Sequence, residues 1–377
     1  MSRQSLQTAE RIVVKIGSTL MQAGPAILGA IARDVAALCQ DGKQCVIVSS
    51  GAVALGRPRL GLDRQPLSLE QKQAAAAAGQ PVLVHAWEQA FSVHDRSTAQ
   101  ALLTLDVTED RRRWLNARAT LDTLLDLGAT PIVNENDTVA TDEIRYGDND
   151  RLAARVAQLI GADLLILLSD IDGLFDADPR ANPGAQRVAT IDTIDATVRA
   201  MAGGANTQAG AGTGGMRSKV QAAEIATASG CAVIIGDGRE PGPVKRLASR
   251  EAGTLFRSAV SVASARERWI SGAVSPHGEI RIDAGALNAL QQGKSLLPVG
   301  VVAIQGQFSR GDTVRISDEQ GQTRARGVSA YNSTDAALIA GRRTEEIEDL
   351  LGYRRAPALV HADDLVLERQ FMKADPS

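Results

Sequence analysis

Leu164-Leu165-Ile166-Leu167-Leu168-Ser169 decides the fold. Five consecutive branched aliphatics without polar alternation read as a strand buried on both faces. Just before it, residues 150–160 read as a helix. Working outward, the same alternation repeats. Strands are expected at 11–16 (RIVVKI), 44–48 (QCVIV), 99–104, 131–134 and 231–236. Helices are expected at 26–40, ending near Gly42, at 109–127, closed by Gly128, and at 216–229, entered from the Gly-rich stretch 203–215. Residues 70–91 have helical composition, but Gly79 and Pro81 are expected to kink this helix or divide it in two. Continuous apolar strands alternating with helices imply an open, mainly parallel sheet sandwiched by helices, an α/β fold. Ligands of such sheets sit beyond the carboxyl ends of the strands.

The pattern changes after Trp269. Short strands at 278–283, 299–305 and 313–317 alternate with Gly-centred turns, and helical content drops. The reading is residues 1–265 as the α/β domain, 266–274 as a linker and 275–370 as a small C-terminal, mainly β domain.

Composition narrows the function. The 377 residues carry a formal net charge of −3, which gives no electrostatic reason to expect a nucleic-acid or membrane partner. Residues 275–377 hold 12 Lys and Arg against 14 Asp and Glu, a net of −2, where an RNA-binding surface gathers positive charge. Cys39, Cys45 and Cys231 have no paired spacing and read as buried small hydrophobes in a reducing compartment. The polar start MSRQSLQTAE lacks a signal-peptide core, and no run approaches a spanning helix, so a cytoplasmic location is expected.

Four segments at the expected strand ends complement one another chemically. Lys15 ends an apolar strand before Gly17 and Ser18, so its ammonium can face phosphate oxygens beside a pliable backbone. Taken alone, a lysine at a strand end usually reads as a solvated terminus. Ser49-Ser50-Gly51 runs from a strand into a helix, where exposed N–H groups suit an anion or where Ser50 is a simple cap. Asn134-Glu135-Asn136-Asp137 and Gly147-Asp148-Asn149-Asp150 crowd acids and amides at one strand end, suiting a ligand ammonium; any one member also reads as a helix cap. In Gly212-Thr213-Gly214-Gly215-Met216-Arg217-Ser218-Lys219 a Gly-rich loop enters a helix whose first turn carries a cation. The helix dipole opposes that cation unless an anion joins it, the alternative being a flexible linker.

Other candidates fall away. Gly293-Lys294-Ser295 lacks the earlier P-loop glycine, Asn288 standing there. Gly210, Gly212 and Gly215 satisfy GxGxxG, but no strand-like run precedes them. His85, His94, His277 and His361 show no metal-ligand spacing. What remains suits phosphoryl transfer, which asks mainly for positioning and for positive charge around the moving group. A carboxylate acceptor is already ionised at neutral pH and needs no general base.

VVKIGS, IVSSGAVALG, NENDTVATDEIRYGDND, LLSDIDGLFDADPR and GTGGMRSK resemble, in order and at family-like spacing, the motifs of the bacterial glutamate 5-kinase family, a branch of the amino acid kinase family. GEIRIDAGA, SLLPVGV, FSRGD and LGYRRAPALVH resemble its PUA domain. The resemblance spans residues 11–364. It implies ATP-dependent phosphorylation of the side-chain carboxylate of L-glutamate, giving L-glutamyl 5-phosphate as the first step of proline biosynthesis. It further implies that Lys15 and Lys219 hold the β- and γ-phosphates and that Asp150 orients both lysines. Glutamate would be bound by Ser50, Gly51, Asp137, Asp148 and Asn149. ATP would be contacted by Lys15, Ser169, Asp170, Thr213, Gly214, Gly215, Met216, Arg217, Ser218 and Lys219. Mg²⁺ would come with ATP, held by the nucleotide, so no protein metal cluster is expected. Proline as feedback inhibitor, a homo-oligomer and a downstream glutamyl-phosphate reductase are also implied. Arg145 and Ser169 depart from the family's more usual Lys and Thr. The alternatives are another kinase of the same fold, acting on N-acetylglutamate, aspartate, carbamate or UMP, and a PUA-driven RNA-binding protein.

Overall fold

The computed structural model describes residues 8–62, 66–104, 110–140, 149–203, 215–249, 252–262, 276–353 and 357–368. The chain forms two compact units, Met1–Val262 and Ala263–Ser377.

In the first unit an eight-stranded sheet runs in the order β3-β4-β2-β1-β5-β7-β8-β6. Its strands are β1 (Arg11–Ile16), β2 (Gln44–Ser49), β3 (Thr98–Leu103), β4 (Thr130–Glu135), β5 (Leu164–Ser169), β6 (Thr190–Ile191), β7 (Ala232–Asp237) and β8 (Thr254–Phe256). All neighbours are parallel except β7 and β8. β1 lies between β2 and β5, with Lys15 opposite Val48 on one side and Leu167 on the other. The mainly parallel sheet flanked by helices is the architecture that the LLILLS run implies. The antiparallel β8 was not foreseen, because three residues hold too little pattern to read.

Strand alternation divides the core into two layers. Ile12, Val14 and Ile16 face helices α1 (Ser18–Gln22), α2 (Pro25–Gln40) and α4 (Leu69–Ser92), and the short α3 (Ala52–Gly56) lies on the same side. Val13 faces the other layer, formed by α5 (Arg111–Asp126), α6 (Asn149–Ile160), α7 (Ala196–Gly203) and α8 (Met216–Ala228). Lys15 shares the parity of Val13, so it belongs beneath α6 and α8. A final helix, α9 (Pro243–Ser249), joins the first layer through Val244 and Leu247.

The expected division at Gly79 and Pro81 does not occur. α4 runs uninterrupted from Leu69 to Ser92, started by a capping box between Ser68 and Gln71. Gly79 serves contact rather than termination. A Cβ there would lie 1.8 Å from the Ala52 carbonyl oxygen, and one on Gly56 would lie 1.8 Å from that of Ala75. The two helices therefore touch backbone to backbone. Burial of Ala75, Ala76, Leu83, Trp87 and Phe91 carries α4 past the hydrogen bond that Pro81 cannot donate.

The second unit has a five-stranded, mostly antiparallel sheet in the order β10-β9-β11-β12-β13. The strands are β9 (Gly278–Ile282), β10 (Val301–Gly306), β11 (Thr313–Ser317), β12 (Thr323–Val328) and β13 (Leu365–Leu367), with only β9 and β11 parallel. Among the described residues three helices accompany them: α10 (Ala284–Gln291), α11 (Ser333–Ile339) and α12 (Ile347–Leu351). Its own core includes Ile280, Ile316, Tyr331, Ile339 and Leu359. Gly293 turns the chain after α10 with φ +73°, so Gly293-Lys294-Ser295 is a helix exit.

Candidate active site

Three charged side chains meet at the carboxyl end of the main sheet. Lys15 projects from the penultimate residue of β1. Asp150 lies in the first turn of α6, and Lys219 in the first turn of α8. Lys15 Nζ lies 2.5 Å from Asp150 Oδ1, and Lys219 Nζ lies 3.0 Å from Asp150 Oδ2. Ser218 Oγ is 2.9 Å from the same Oδ2. Asp150 is wholly buried and each lysine is 6% exposed.

Electrostatics give this cluster its meaning. Burial alone would raise the Asp150 carboxyl, but the Lys15 and Lys219 ammonium groups and their hydrogen bonds hold it well below the usual carboxylate range. The carboxylate therefore stays ionised. It also gains from its place at a helix N-terminus, whereas Lys219 at the start of α8 is opposed by that helix's dipole. Two ammonium groups thus converge on the two oxygens of one carboxylate, all three groups withdrawn from water. Burying an ion costs several kcal/mol, on the order that only a partner of opposite sign offsets. Two ammonium groups at the carboxyl edge of the sheet are chemically suited to phosphate oxygens.

The adjoining amides form a second cluster. Asn149 Nδ2 reaches the Ser49 carbonyl oxygen (3.0 Å), Ser50 Oγ (3.1 Å) and Asn134 Oδ1 (2.8 Å). Its nitrogen thus ties the ends of β2 and β4 to the start of α6. What Asn149 retains for a ligand is its amide oxygen. Gly51 follows with φ 107°, a left-handed conformation that favours glycine, and starts α3. Asp137 lies just beyond β4, and burial pushes its carboxyl up to about 6. It lines a cavity of about 410 Å³ together with Gln80, Pro81, His85, Glu88 and Asn136.

Further along the same sheet edge, Ser169 Oγ bonds Asp170 Oδ1 at 3.2 Å, and the Ser169 carbonyl oxygen accepts from Gly238 N at 2.9 Å. Gly215 caps α8; Met216 is buried and Arg217 exposed. The geometry thus brings together Lys15, Asp150, Ser218 and Lys219, and separately Ser50 and Asn149. Asp148, Thr213, Gly214 and Arg145 lie outside the described residues.

Sequence reasoning missed Trp87 and its link to Ser49. Trp87 Nε1 donates to Ser49 Oγ at 3.0 Å, and both residues are fully buried. This pins α4 to the end of β2 directly beneath Ser50. No spacing signal marks the pair, because the contact crosses from helix to sheet.

Comparison with known proteins follows the same lines. Residues 10–237 match the model of the amino acid kinase family, and residues 278–351 match the PUA domain. The chain is 54% identical over 372 residues to the glutamate 5-kinase of Caulobacter vibrioides, covering 97% of this chain and 98% of that one. It is 50% identical over 366 residues to the glutamate 5-kinase of Cereibacter sphaeroides, covering 96% and 98%. Similarity to the glutamate 5-kinase of Agrobacterium fabrum is 50% over 372 residues, covering 97% and 95%.

Proposed function

The chain belongs to the amino acid kinase family, and from that premise we propose that it transfers the γ-phosphoryl group of ATP to the side-chain carboxylate of L-glutamate. The products are ADP and L-glutamyl 5-phosphate, the first step of proline biosynthesis. The observation that carries the reading is the buried Lys15–Asp150–Lys219 cluster, in a chain half identical to glutamate 5-kinases along nearly its whole length.

A glutamate carboxylate oxygen attacks the γ-phosphorus, a new acyl P–O bond forms, and the bond to the β,γ-bridging oxygen breaks. The acceptor is ionised at neutral pH, so no base is required. Lys15 and Lys219 neutralise charge on the equatorial and leaving oxygens as it shifts. Asp150 sets their spacing and does not itself move a proton. MgATP is the donor substrate, with Mg²⁺ carried by the phosphates. In this reading Ser169, Asp170 and residues 213–217 would serve the nucleotide, with Ser218 on the Asp150 carboxylate beside them. Ser50, Gly51, Asp137, Asp148 and Asn149 would bind glutamate, since carboxylates and amide oxygens suit a free ammonium and disfavour N-acetylglutamate.

Residues 1–265 form the catalytic domain in this reading, 266–274 the linker and 275–370 the PUA domain. The labile acyl phosphate calls for a glutamyl-phosphate reductase downstream. Feedback by proline, a homo-oligomer and a cytoplasmic setting complete the proposal. ADP release measured with glutamate, N-acetylglutamate, aspartate, carbamate and UMP tests it. Turnover is expected with glutamate; turnover with another acceptor and none with glutamate overturns the assignment.

A further inference from the structure

Ser218 is placed against ATP by the family resemblance, yet its hydroxyl turns inward. It is 9% exposed and lies in the first turn of α8. Its Oγ is 2.9 Å from Asp150 Oδ2 and 2.9 Å from the Gly215 carbonyl oxygen. Its backbone N–H also donates to Gly215, at 3.1 Å.

A hydroxyl carries one hydrogen, and both neighbouring oxygens can only accept. It satisfies one at a time. A hydrogen bond to an ionised acceptor is roughly twice as strong as one to a neutral carbonyl, so the proton rests on Asp150. Oδ2 then receives two donors, Ser218 Oγ and Lys219 Nζ, from consecutive residues of one helix turn. Rotation of the carboxylate would break both bonds and would move Oδ1 away from Lys15. The second acceptor, Gly215, is the residue through which the Gly-rich segment enters α8. The hydroxyl therefore sits between that entry and the charged cluster.

We infer that Ser218 is a positioning residue for phosphoryl transfer: its hydroxyl locks the Asp150 carboxylate, and through it the spacing of Lys15 and Lys219, without touching the nucleotide. This rests on the kinase reading of the same site. The role differs from that of a phosphate ligand, because the effect passes through Asp150 to the transition state and leaves ATP affinity alone.

The test compares wild type with Ser218→Ala, Ser218→Thr and Ser218→Cys in the full chain, measuring kcat, KM for ATP and KM for glutamate by ADP release. For Ser218→Ala a fall in kcat of roughly tenfold to thirtyfold is expected, the scale of one lost hydrogen bond to a charged group. KM for ATP should stay within about twofold, because the lost bond is internal. Ser218→Thr keeps the hydroxyl and should recover most of kcat; Ser218→Cys keeps the volume, loses a strong donor and should behave like Ala. A Ser218→Ala chain with wild-type kcat overturns the inference, and so does one whose KM for ATP rises while kcat holds. Should the Ala variant fail to fold, as judged by circular dichroism, the contrast of Cys with Thr decides by the same criteria. A wild-type chain without ATP-dependent turnover on any acceptor overturns the kinase reading itself, and this inference with it.

Discussion

Both units bury polar groups, but in different ways. In the second unit Asp318 accepts from the Gln322 amide at 2.8 Å, four residues on, and Ser329 bonds the Tyr331 carbonyl at 2.7 Å, two residues on. These bonds close turns, and each group is satisfied by its own neighbourhood. In the first unit Lys219 reaches Asp150 across 69 residues of chain, and Lys15 reaches it from a different element altogether. The result is a buried cluster of ions. Local satisfaction is what a fold requires of a buried polar group. A long-range cluster of buried ions goes beyond that requirement, and the fold bears its cost.

Charge removal should separate the two regions. Asp150→Ala strands two ammonium groups in the interior and should lower unfolding free energy by about 3–5 kcal/mol. Urea melts would read this directly, and activity should vanish with it. The depressed Asp150 pKa adds a pH signature. Its contribution is complete above the unfolded value of about 4 and is lost as pH falls below it. Asp150→Asn should flatten that acid limb. In the second unit Ser329→Ala should cost only about 1 kcal/mol and leave turnover unchanged. Equal losses from the two substitutions would erase the distinction.

Removing a cation should act on turnover more than on stability. Lys15→Ala and Lys219→Ala each leave Asp150 paired with the other lysine, so the loss of stability should be smaller than for Asp150→Ala. Turnover should nevertheless fall by about a hundredfold or more, the scale of a lost electrostatic stabiliser. A folded variant with near-wild-type kcat would remove that lysine from the mechanism. At the level of whole units, a chain ending at Arg268 should fold, by circular dichroism, and keep glutamate-dependent turnover within about tenfold, because separate cores stand alone. A well-folded but inactive truncation would place essential residues in the second unit.

These contrasts mirror what could be read from the residues. Apolar strands such as β5 announce themselves, and Lys15 stands out as a charge inside one. Asp150 does not, since an acid at the start of a helix reads as an ordinary cap. Its meeting with Lys219 depends on α6 and α8 packing side by side on one face of the sheet, which no local spacing encodes. The family resemblance supplied that pairing. Gly79 and Pro81 misled for the opposite reason: locally they break a helix, while the tertiary contact with Gly56 and the buried side chains of α4 override them. The residues 141–148, with Asp148 and Arg145, lie beyond the described chain and add nothing to either side of the comparison.

The smallest expected effect concerns two acids that the units treat oppositely. At Asp318 burial would raise the carboxyl, but the Gln322 amide and Arg324 hold it below its usual value. At Asp137 burial has no such answer, and the carboxyl rises from 3.8 to about 6. An acid whose folded pKa lies above its unfolded one favours the fold at low pH. That contribution is full below about 4 and is lost as pH rises through about 6. An ammonium group beside Asp137 would draw its pKa back down, so a ligand bearing one should displace a proton in this window. KM for glutamate should therefore fall as pH rises from 5 to 7, by up to about tenfold, and then level off, since about a tenth of the carboxyl is ionised one unit below its pKa. The glutamate side chain, with a pKa near 4.3, changes little over this range. Asp137→Asn should remove both the KM slope and the loss of stability between about pH 4 and 6. If the slope in KM survives that substitution, Asp137 does not hold the ammonium, and the raised carboxyl reflects only the cavity wall in which it sits.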